Sequence, residues 1–276
     1  MKILILGSLT VDIIEGRKVK GGPAYFCSLA AELLGINYFC CGVRPEEYCW
    51  DEPKGIFITS KGPIFEHRYV GGERISRLIA KPDVFDEELP DPTLFDFIFV
   101  NPVYGEFKTR QIRSMTKHAK VIIDSQGFLR EVRDNRIVIR KVGEDELELF
   151  EKCWAVHISI DELSAFETIP NEPIVLITFG EKGAKVRFKG KEYFIPAYSV
   201  KGDPTGAGDF FMVSFATEYM CEGNVVKAAL YAASLTSLFV ERVIPRNLRS
   251  VRGLLSKIEP ILNARLETLR RKIKQI

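Results

Sequence analysis

The residues best suited to chemistry lie in one short stretch, Asp203-Pro204-Thr205-Gly206-Ala207-Gly208-Asp209. Its small residues let backbone N–H groups approach a ligand closely, and they stand where a helix is predicted to begin. The N-terminus of a helix stabilises negative charge, such as that of a phosphoryl group in transfer. The carboxylate of Asp209 can accept a proton from a hydroxyl while the N–H groups hold the phosphate.

Residue types alone leave a structural alternative open for this stretch, a glycine-rich turn in which Asp203 or Asp209 caps a helix. A dinucleotide-binding loop, G-x-G-x-x-G, would need a glycine where the chain has Phe211. That loop also normally follows the first strand of a domain, whereas this stretch lies near the C-terminus. The phosphate loop GxxxxGK[ST] does not occur in the sequence. Phosphoryl transfer here is therefore not expected to be of the P-loop kind.

A second polar stretch, Asp124-Ser125-Gln126-Gly127-Phe128-Leu129-Arg130, follows a predicted strand. Gln126 and Arg130 could hydrogen-bond a polyol or an acidic group of a substrate. The competing interpretation of Arg130 is an exposed surface residue, and the residue types do not separate the two.

The elements that must position these residues alternate between strand and helix along most of the chain, which indicates a parallel sheet covered by helices on both faces. A β-rich hairpin, 64–70 and 73–80 joined by Gly71-Gly72, interrupts this alternation. We therefore predict one three-layer α/β/α domain over residues 1–276. A small β-rich lid is expected from residues 8–20 and 55–80.

Composition excludes several classes of function. The 276 residues carry a formal net charge of +2, which gives no electrostatic footprint for nucleic acid. No apolar run approaches the roughly 20 residues of a membrane span, and the apolar N-terminus is better explained as a buried strand than as a signal peptide. The six cysteines form no CxxC pair, which argues against a zinc site or a disulfide framework. We expect a cytoplasmic protein with no membrane or nucleic-acid partner.

The stretch DPTGAGDFF resembles the C-terminal signature of the ribokinase-like, or PfkB-type, carbohydrate kinases, D-T-x-G-A-G-D, with Pro204 where threonine is commoner. Two earlier stretches, ILGSLTVDII and GGPAYFCSLAAELLG, are similar to the first strand and the second signature of that family. The resemblance covers the whole chain and implies a ribokinase-like fold. It also implies ATP and Mg²⁺ as cofactors of a phosphotransferase that acts on an alcohol group.

The resemblance further implies a role for individual residues. Asp209 would be the base, and an anion hole would be formed by Gly206, Ala207 and Gly208. Acceptor hydroxyls would be contacted by Asp12, beside Gly21 and Gly22. The nucleotide phosphates would be lined by a T-x-G-x-x-G turn that contains Thr178, Gly180, Lys182 and Gly183. Glu162 lies in a segment similar to N-x-x-E, with Ser159 in place of asparagine, and would help to organise magnesium together with the phosphates.

The D-x-Q-G-F-x-R segment narrows the range of candidate substrates. It resembles archaeal members of the family and is similar to the D-x-Q segment of myo-inositol kinases. A sugar or cyclic polyol is therefore the favoured acceptor. A nucleoside or vitamin kinase stays open, because Phe26, Phe65 and Tyr69 could form a slot for a base. A non-catalytic metabolite-binding relative is the alternative of another class, disfavoured by the intact Asp209. The charged hairpin side chains His67, Arg68, Glu73, Arg74 and Arg77 are expected to include a few substrate contacts, and a homodimer through the lid is a further option.

Overall fold

A computed structural model of the chain describes residues 1–70 and 73–274. The strands of these residues are β1 (Lys2–Gly7), β2 (Thr10–Ile14), β3 (Arg17–Gly21), β4 (Asn37–Pro45), β5 (Gly55–Ser60), β6 (Ile64–Val70), β7 (Glu73–Ala80), β8 (Phe97–Asn101), β9 (Lys120–Asp124), β10 (Arg130–Arg133), β11 (Arg136–Ile139), β12 (Ala155–Ser159), β13 (Ile174–Thr178), β14 (Ala184–Phe188) and β15 (Lys191–Ile195). The helices are α1 (Pro23–Leu33), α2 (Thr109–Met115), α3 (Gln126–Leu129), α4 (Glu144–Glu151), α5 (Ile160–Leu163), α6 (Ala207–Glu222), α7 (Val225–Val240) and α8 (Leu255–Lys274).

Nine strands form the central sheet in the order β15-β14-β13-β12-β9-β8-β1-β4-β5. The seven strands from β13 to β5 in this order run parallel, and β14 and β15 add an antiparallel hairpin at one edge. The chain first moves outward from β1 through β4 to β5 and then returns to build the other side from β8. The strand order therefore reverses between β1 and β8, which is where open α/β sheets bind ligands.

Both faces of this sheet are buried, which explains why its strands are almost continuously apolar. In β1, Ile3 and Ile5 pack into the core beneath α1, α6, α7 and α8. Leu4 and Leu6 point to the opposite face and pack into the core beneath α2 and α4. Alternate side chains of one strand thus serve two cores, and the result is the predicted three-layer α/β/α arrangement.

A separate four-stranded sheet, in the order β3-β2-β6-β7, forms the lid. Residues 55–60 were predicted to belong to it, and this prediction is wrong because β5 pairs in parallel with β4 at the edge of the central sheet. The short run of β-branched and aromatic residues in β5 identifies a strand but not its partner. The hairpin β10–β11, which the sequence analysis did not predict, lies against β7 beside the lid.

Three sequence predictions touch residues whose structure is not described. The Gly71-Gly72 turn lies outside the described residues, although Val70 and Glu73 on either side of it are paired. The side chains of Tyr69, Glu73 and Arg74 are likewise outside the described part of the chain.

Among the helices that the structure describes, none combines the length and the apolar character needed to cross a membrane. The six cysteines are all free thiols, and four of them, Cys27, Cys40, Cys41 and Cys153, are buried.

Candidate active site

A cavity of about 840 Å³ lies along the edge of the central sheet where the parallel strands end. Its floor carries the last residues of four neighbouring strands, Asn101 of β8, Asp124 of β9, Ser159 of β12 and Thr178 of β13. Each of these polar residues ends a largely apolar strand. Because parallel strands share one carboxyl edge, the topology brings together side chains that are 77 positions apart at the extremes of this set.

The first turn of α6 forms the wall of the cavity. Gly206 caps this helix with a φ of 80°, and a Cβ at this position would lie 2.2 Å from Cγ of Phe26. Only glycine therefore fits here, both in conformation and in space. The sequence analysis placed the N–H of Ala207 in an anion hole. In the structure this N–H instead donates to the carbonyl of Pro204 (2.9 Å). The N–H groups of Gly206 and Gly208 donate to no described residue and remain available at the positive end of the helix.

Asp209 projects from this turn into the cavity. Its Oδ1 accepts a hydrogen bond from Nδ2 of Asn101 at 2.7 Å, and the Sγ of buried Cys27 lies 3.8 Å away. Burial, reinforced by the negative charge of Asp124, raises the pKa of Asp209 to about 7, and the Asn101 hydrogen bond and His157 oppose this rise. A carboxylate with a pKa near neutrality is well matched to accept and release a proton at physiological pH.

The loop that leads into the turn is clamped by Arg246. Its guanidinium donates to Oδ2 and to the carbonyl of Asp203, at 3.0 and 2.6 Å. The same guanidinium stacks over the rings of Phe239 (4.6 Å) and Phe26 (5.6 Å). Phe26 also packs against Gly206. Arg246 and Phe26 together therefore hold the turn at Asp203 and at Gly206.

One end of the cavity lies beneath the lid. Asp12 of β2 is buried, and its carboxylate accepts a hydrogen bond from Oγ1 of Thr10 (2.9 Å) and lies 3.7 Å from Nε2 of His67. The ring of Phe65 stacks with that of His67, and Cζ of Arg130 lies 5.4 Å from the centre of the Phe65 ring. This end, which we call the lid chamber, is lined by Thr10, Asp12, Phe65, His67, Ser76, Gln126, Arg130, Ile137 and Ile139.

The opposite end of the cavity lies over β13 and α7. Gly180 and Gly183 line it, and both occupy left-handed conformations in the turn that follows Thr178. Beyond the turn is a slot with mostly small and apolar walls, which we call the α7 slot, lined by Tyr198, Val200, Gly202, Ala233, Thr236, Ser237 and Val240. The Oγ1 of Thr236 is buried without a hydrogen-bond partner among the described residues.

Glu162 lies on the floor between the two ends. Its Oε2 accepts hydrogen bonds from the hydroxyl of Ser125 and the N–H of Ser159, both at 3.0 Å. Burial and the nearby Asp124 raise the pKa of Glu162. Glu162 is thus both the capping-box acid of α5 and a residue of the cavity floor.

Glu106 organises the loop after β8 without lining the cavity. Its fully buried carboxylate accepts hydrogen bonds from Ser8 (2.8 Å) and from the N–H groups of Val103 and Tyr104. It therefore ties the loops after β1 and β8 together at the point where the strand order reverses. Burial raises the pKa of Glu106.

Most of the residues singled out from the sequence meet at this cavity. The predicted site residues in its lining are Asp12, Gly22, Gln126, Arg130, Glu162, Thr178, Gly180, Gly183, Gly206, Ala207, Gly208 and Asp209. Gly21 and the exposed side chain of Lys182 do not belong to the lining that the described residues form. Gly21 instead leaves room for the side chains of Thr10 and Asp12, because a Cβ there would lie 2.5 Å from an oxygen atom of each.

The sequence analysis missed Asn101 and His157 and did not assign a role to Asp124. Asn101 and Asp124 had a detectable signal, a polar residue at the end of an apolar strand, FIFVN and KVIID. His157 lies within the strand AVHIS and had no such signal.

Comparison with known proteins agrees with the fold. Residues 98–249, more than half of the chain, match the family model described as pfkB family carbohydrate kinase. The chain belongs to this family.

The most similar proteins include two plant enzymes and a solved structure. The chain is 26% identical over 264 residues to an inositol 3-kinase of Arabidopsis thaliana, covering 88% of this chain and 74% of that protein. It is also 26% identical over 194 residues to an inositol 3-kinase of Zea mays, covering 66% of this chain and about half (51%) of the maize protein. A pyrophosphate-dependent kinase in the ribokinase family, complexed with a pyrophosphate analog and myo-inositol, has a similar fold, with a TM-score of 0.67 and 21% identity over 87% of this chain and 95% of that one.

Proposed function

We propose that this protein transfers the terminal phosphoryl group of ATP to a hydroxyl of a cyclic polyol of the myo-inositol type. The observation that carries the proposal is that Asp209 and the turn at the start of α6 lie in one cavity with the polar lid chamber on one side and the α7 slot on the other. A base at the junction of two binding regions is the arrangement that direct transfer between two substrates requires.

In the proposed reaction, Asp209 accepts the proton of the attacking hydroxyl. The N–H groups of Gly206 and Gly208, together with the helix dipole, stabilise the negative charge on the transferred group. Asn101 holds the Asp209 carboxylate in place through its 2.7 Å hydrogen bond. Phosphoryl transfer needs positioning and charge stabilisation more than covalent catalysis, and this set of residues supplies both.

Magnesium fits this site if it is bound mainly by phosphate oxygens and water. No group of three or more metal-binding side chains occurs among the described residues, whereas Glu162 lines the floor of the cavity. Mg²⁺ retains several water ligands and commonly needs only one or two carboxylates. Bound with the nucleotide, it would neutralise charge on the phosphates.

The α7 slot supports ATP rather than pyrophosphate as the donor. Its walls are mostly small and apolar, and the unpartnered hydroxyl of Thr236 is available to hydrogen-bond a base. Such a slot suits the planar adenine ring, whereas a pyrophosphate donor would leave it without a ligand group to bury.

The lid chamber supports a polyol acceptor more strongly than a nucleoside. Asp12, Gln126 and Arg130 offer both acceptors and donors to hydroxyl groups. Two of the three aromatic residues expected to stack on a base are engaged already, because Phe65 contacts His67 and Arg130, and Phe26 packs under Gly206 and Arg246. The inositol 3-kinase relatives favour the same substrate class. A homodimer through the lid and a cytoplasmic location remain predictions from the sequence.

The test is a substrate screen in the presence of Mg²⁺ that measures the release of nucleoside diphosphate from ATP or of phosphate from pyrophosphate. ATP and pyrophosphate are each offered with myo-inositol and other inositols, hexoses, pentoses and nucleosides, and products are identified by ³¹P NMR. We expect turnover with ATP and a cyclic polyol. Turnover with nucleosides alone, or with pyrophosphate but not ATP, would overturn the corresponding half of the proposal.

A further inference from the structure

His157 occupies a position that neither the signatures nor the proposed reaction accounts for. It is 3% exposed and lies on the floor of the cavity between the lid chamber and the turn that follows Thr178. Its Nδ1 is 2.8 Å from Oδ2 of Asp124, and its Nε2 is 3.0 Å from Oγ1 of Thr178. The imidazole ring is therefore held at both nitrogens, by one residue from each side of the cavity.

Each of these contacts orders a group that faces a substrate. Asp124 uses its other oxygen to accept the N–H of Gln126 at 2.8 Å, and this contact orients the turn that carries Gln126 into the lid chamber. Thr178 has a single hydroxyl proton. If its oxygen accepts the Nε2–H of His157, that proton is left to donate toward a phosphate oxygen.

The ring also packs directly against the first turn of α6. A Cβ on Gly208 would lie 3.0 Å from Cε1 of His157, so a larger residue at 208 would require the ring to move. His157 is thus in contact with elements on three sides of the reaction centre: the end of β9, the end of β13 and the start of α6.

Three carboxylates contribute negative charge near His157. They are Asp124 at the end of β9, Glu162 on α5 and Asp209 on α6. Burial by itself would lower the pKa of His157, but these three carboxylates, led by Asp124, outweigh it and raise that pKa. A charged imidazole at this position also opposes the rise in the pKa of Asp209.

We propose that His157 is a positioning residue, held as an imidazolium. It links the turn that carries Gln126 to the turn that follows Thr178, and its positive charge offsets the negative charge of the carboxylates around Asp209. It acts through Asp124, Thr178 and Asp209 and does not touch the reacting atoms. The inference rests on the proposed kinase activity, in which Asp209 is the base and Thr178 faces the donor phosphates.

The deciding experiment compares the pH dependence of kcat/KM for the polyol in wild type and in His157→Gln. Glutamine can keep a hydrogen bond to Asp124 and to Thr178, but it carries no charge. Loss of the positive charge should raise the pKa of Asp209, so the acidic limb of the profile should move to higher pH by about one unit. His118→Gln, at an exposed histidine, is the matched control and should leave the limb where it is in wild type. A limb that does not move in His157→Gln overturns the proposal.

A second measurement makes the outcome independent of activity and of the variant's folding. ¹⁵N NMR of histidine-labelled wild-type protein reports the charge of each imidazole directly. We expect the resonances of the buried His157 to be those of an imidazolium at pH 7, and a neutral ring at pH 7 overturns the proposal. If the NMR result is as expected but no acceptor is phosphorylated, the failure belongs to the proposed function and not to the state of His157.

Discussion

At the scale of single residues, the site depends on one carboxylate whose surroundings suit it to act as a base. Asp209 is in the first turn of a helix, where an acid is ordinarily a stabilising cap. Here it lies instead among Asn101, Cys27, Asp124 and His157, where burial raises its pKa to about 7. The same residue type in the same helical position therefore has a different environment, and the proposed role of Asp209 as a base follows from that environment.

Asp209→Asn should lower kcat by about 10²–10⁴ and leave nucleotide KM nearly unchanged, because the amide cannot accept the hydroxyl proton. Steady-state kinetics with the best acceptor from the screen measures both constants. Asp145→Asn, which changes an exposed acid in the first turn of α4, is the matched control and should behave as wild type. Retention of more than about a tenth of wild-type kcat, above the lower end of the expected loss, would show that Asp209 is not the base.

The raised pKa of Asp209 also predicts a pH-dependent difference in stability. Between the ordinary value of 3.8 and about 7, the folded protein holds a proton that the unfolded chain releases, so ionisation of Asp209 opposes folding as the pH rises through this window. Asp209→Asn should therefore melt at a higher temperature than wild type at pH 8, and the difference should shrink as the pH falls toward 4. A difference in Tm that is constant over this range would contradict the environment assigned to Asp209.

At the scale of elements, the start of α6 is held by packing as well as by hydrogen bonds. Gly206 and Gly223 cap the two ends of this helix, both in left-handed conformations. A Cβ at 206 would meet Phe26, whereas a Cβ at 223 would meet no atom within 4 Å. Gly223 is therefore required only for its left-handed conformation, whereas Gly206 is required both for its conformation and for the space beside Phe26.

Gly223→Ala should cost about 1–2 kcal/mol in the free energy of unfolding, which is the penalty of a left-handed non-glycine residue. Gly206→Ala should cost a further 1–3 kcal/mol or so, because the ring of Phe26 must move, and it should also abolish most activity. Urea unfolding of both variants, analysed with a common m value, measures the difference. Equal losses in the two variants would show that Phe26 does not constrain the turn.

The Arg246 clamp predicts coupling between two residues of the loop before α6. Arg246→Met should remove about 1.5–3 kcal/mol of stability, since it breaks charge-assisted hydrogen bonds to Asp203 in a largely buried setting. Because Asp203→Asn weakens the same contact, the double variant should lose less than the sum of the two single losses. Strict additivity in denaturant melts would indicate that the two side chains do not act together.

At the scale of the whole molecule, two sheets contribute to one cavity. The central sheet supplies Asp124 and Thr178, α6 supplies Asp209, and the lid supplies Asp12 and His67. The lid residues are all on the side assigned to the acceptor. Changes in the lid should therefore affect one substrate and not the other.

Asp12→Asn should raise the acceptor KM by roughly 10-fold or more, the loss expected when a charged hydrogen-bonding group is removed. The KM for ATP should stay within about twofold of wild type, well below that loss. Initial rates with each substrate varied in turn measure both values. A comparable rise in both KM values would indicate that Asp12 supports the whole cavity rather than the acceptor end.

The sequence by itself determined the layered α/β architecture, because strands buried on both faces are continuously apolar and helices alternate with them. It also located the candidate catalytic stretch, since the glycines at the start of α6 and the adjacent Asp209 are neighbours in the chain. Asp12, Gln126, Glu162 and Thr178 were found through short signatures for the same reason. Local requirements of this kind can be detected in the sequence, because the residues that meet them are close together in the chain.

Only the tertiary structure decided which distant residues complete the site. The partner of β5 depends on the register of a whole sheet, so residues 55–60 joined the central sheet and not the lid. Asn101 reaches Asp209, and His157 reaches Asp124 and Thr178, because parallel strands end at a common edge. The pKa of Asp209 likewise follows from burial and from charges distant in sequence, and no local pattern encodes either.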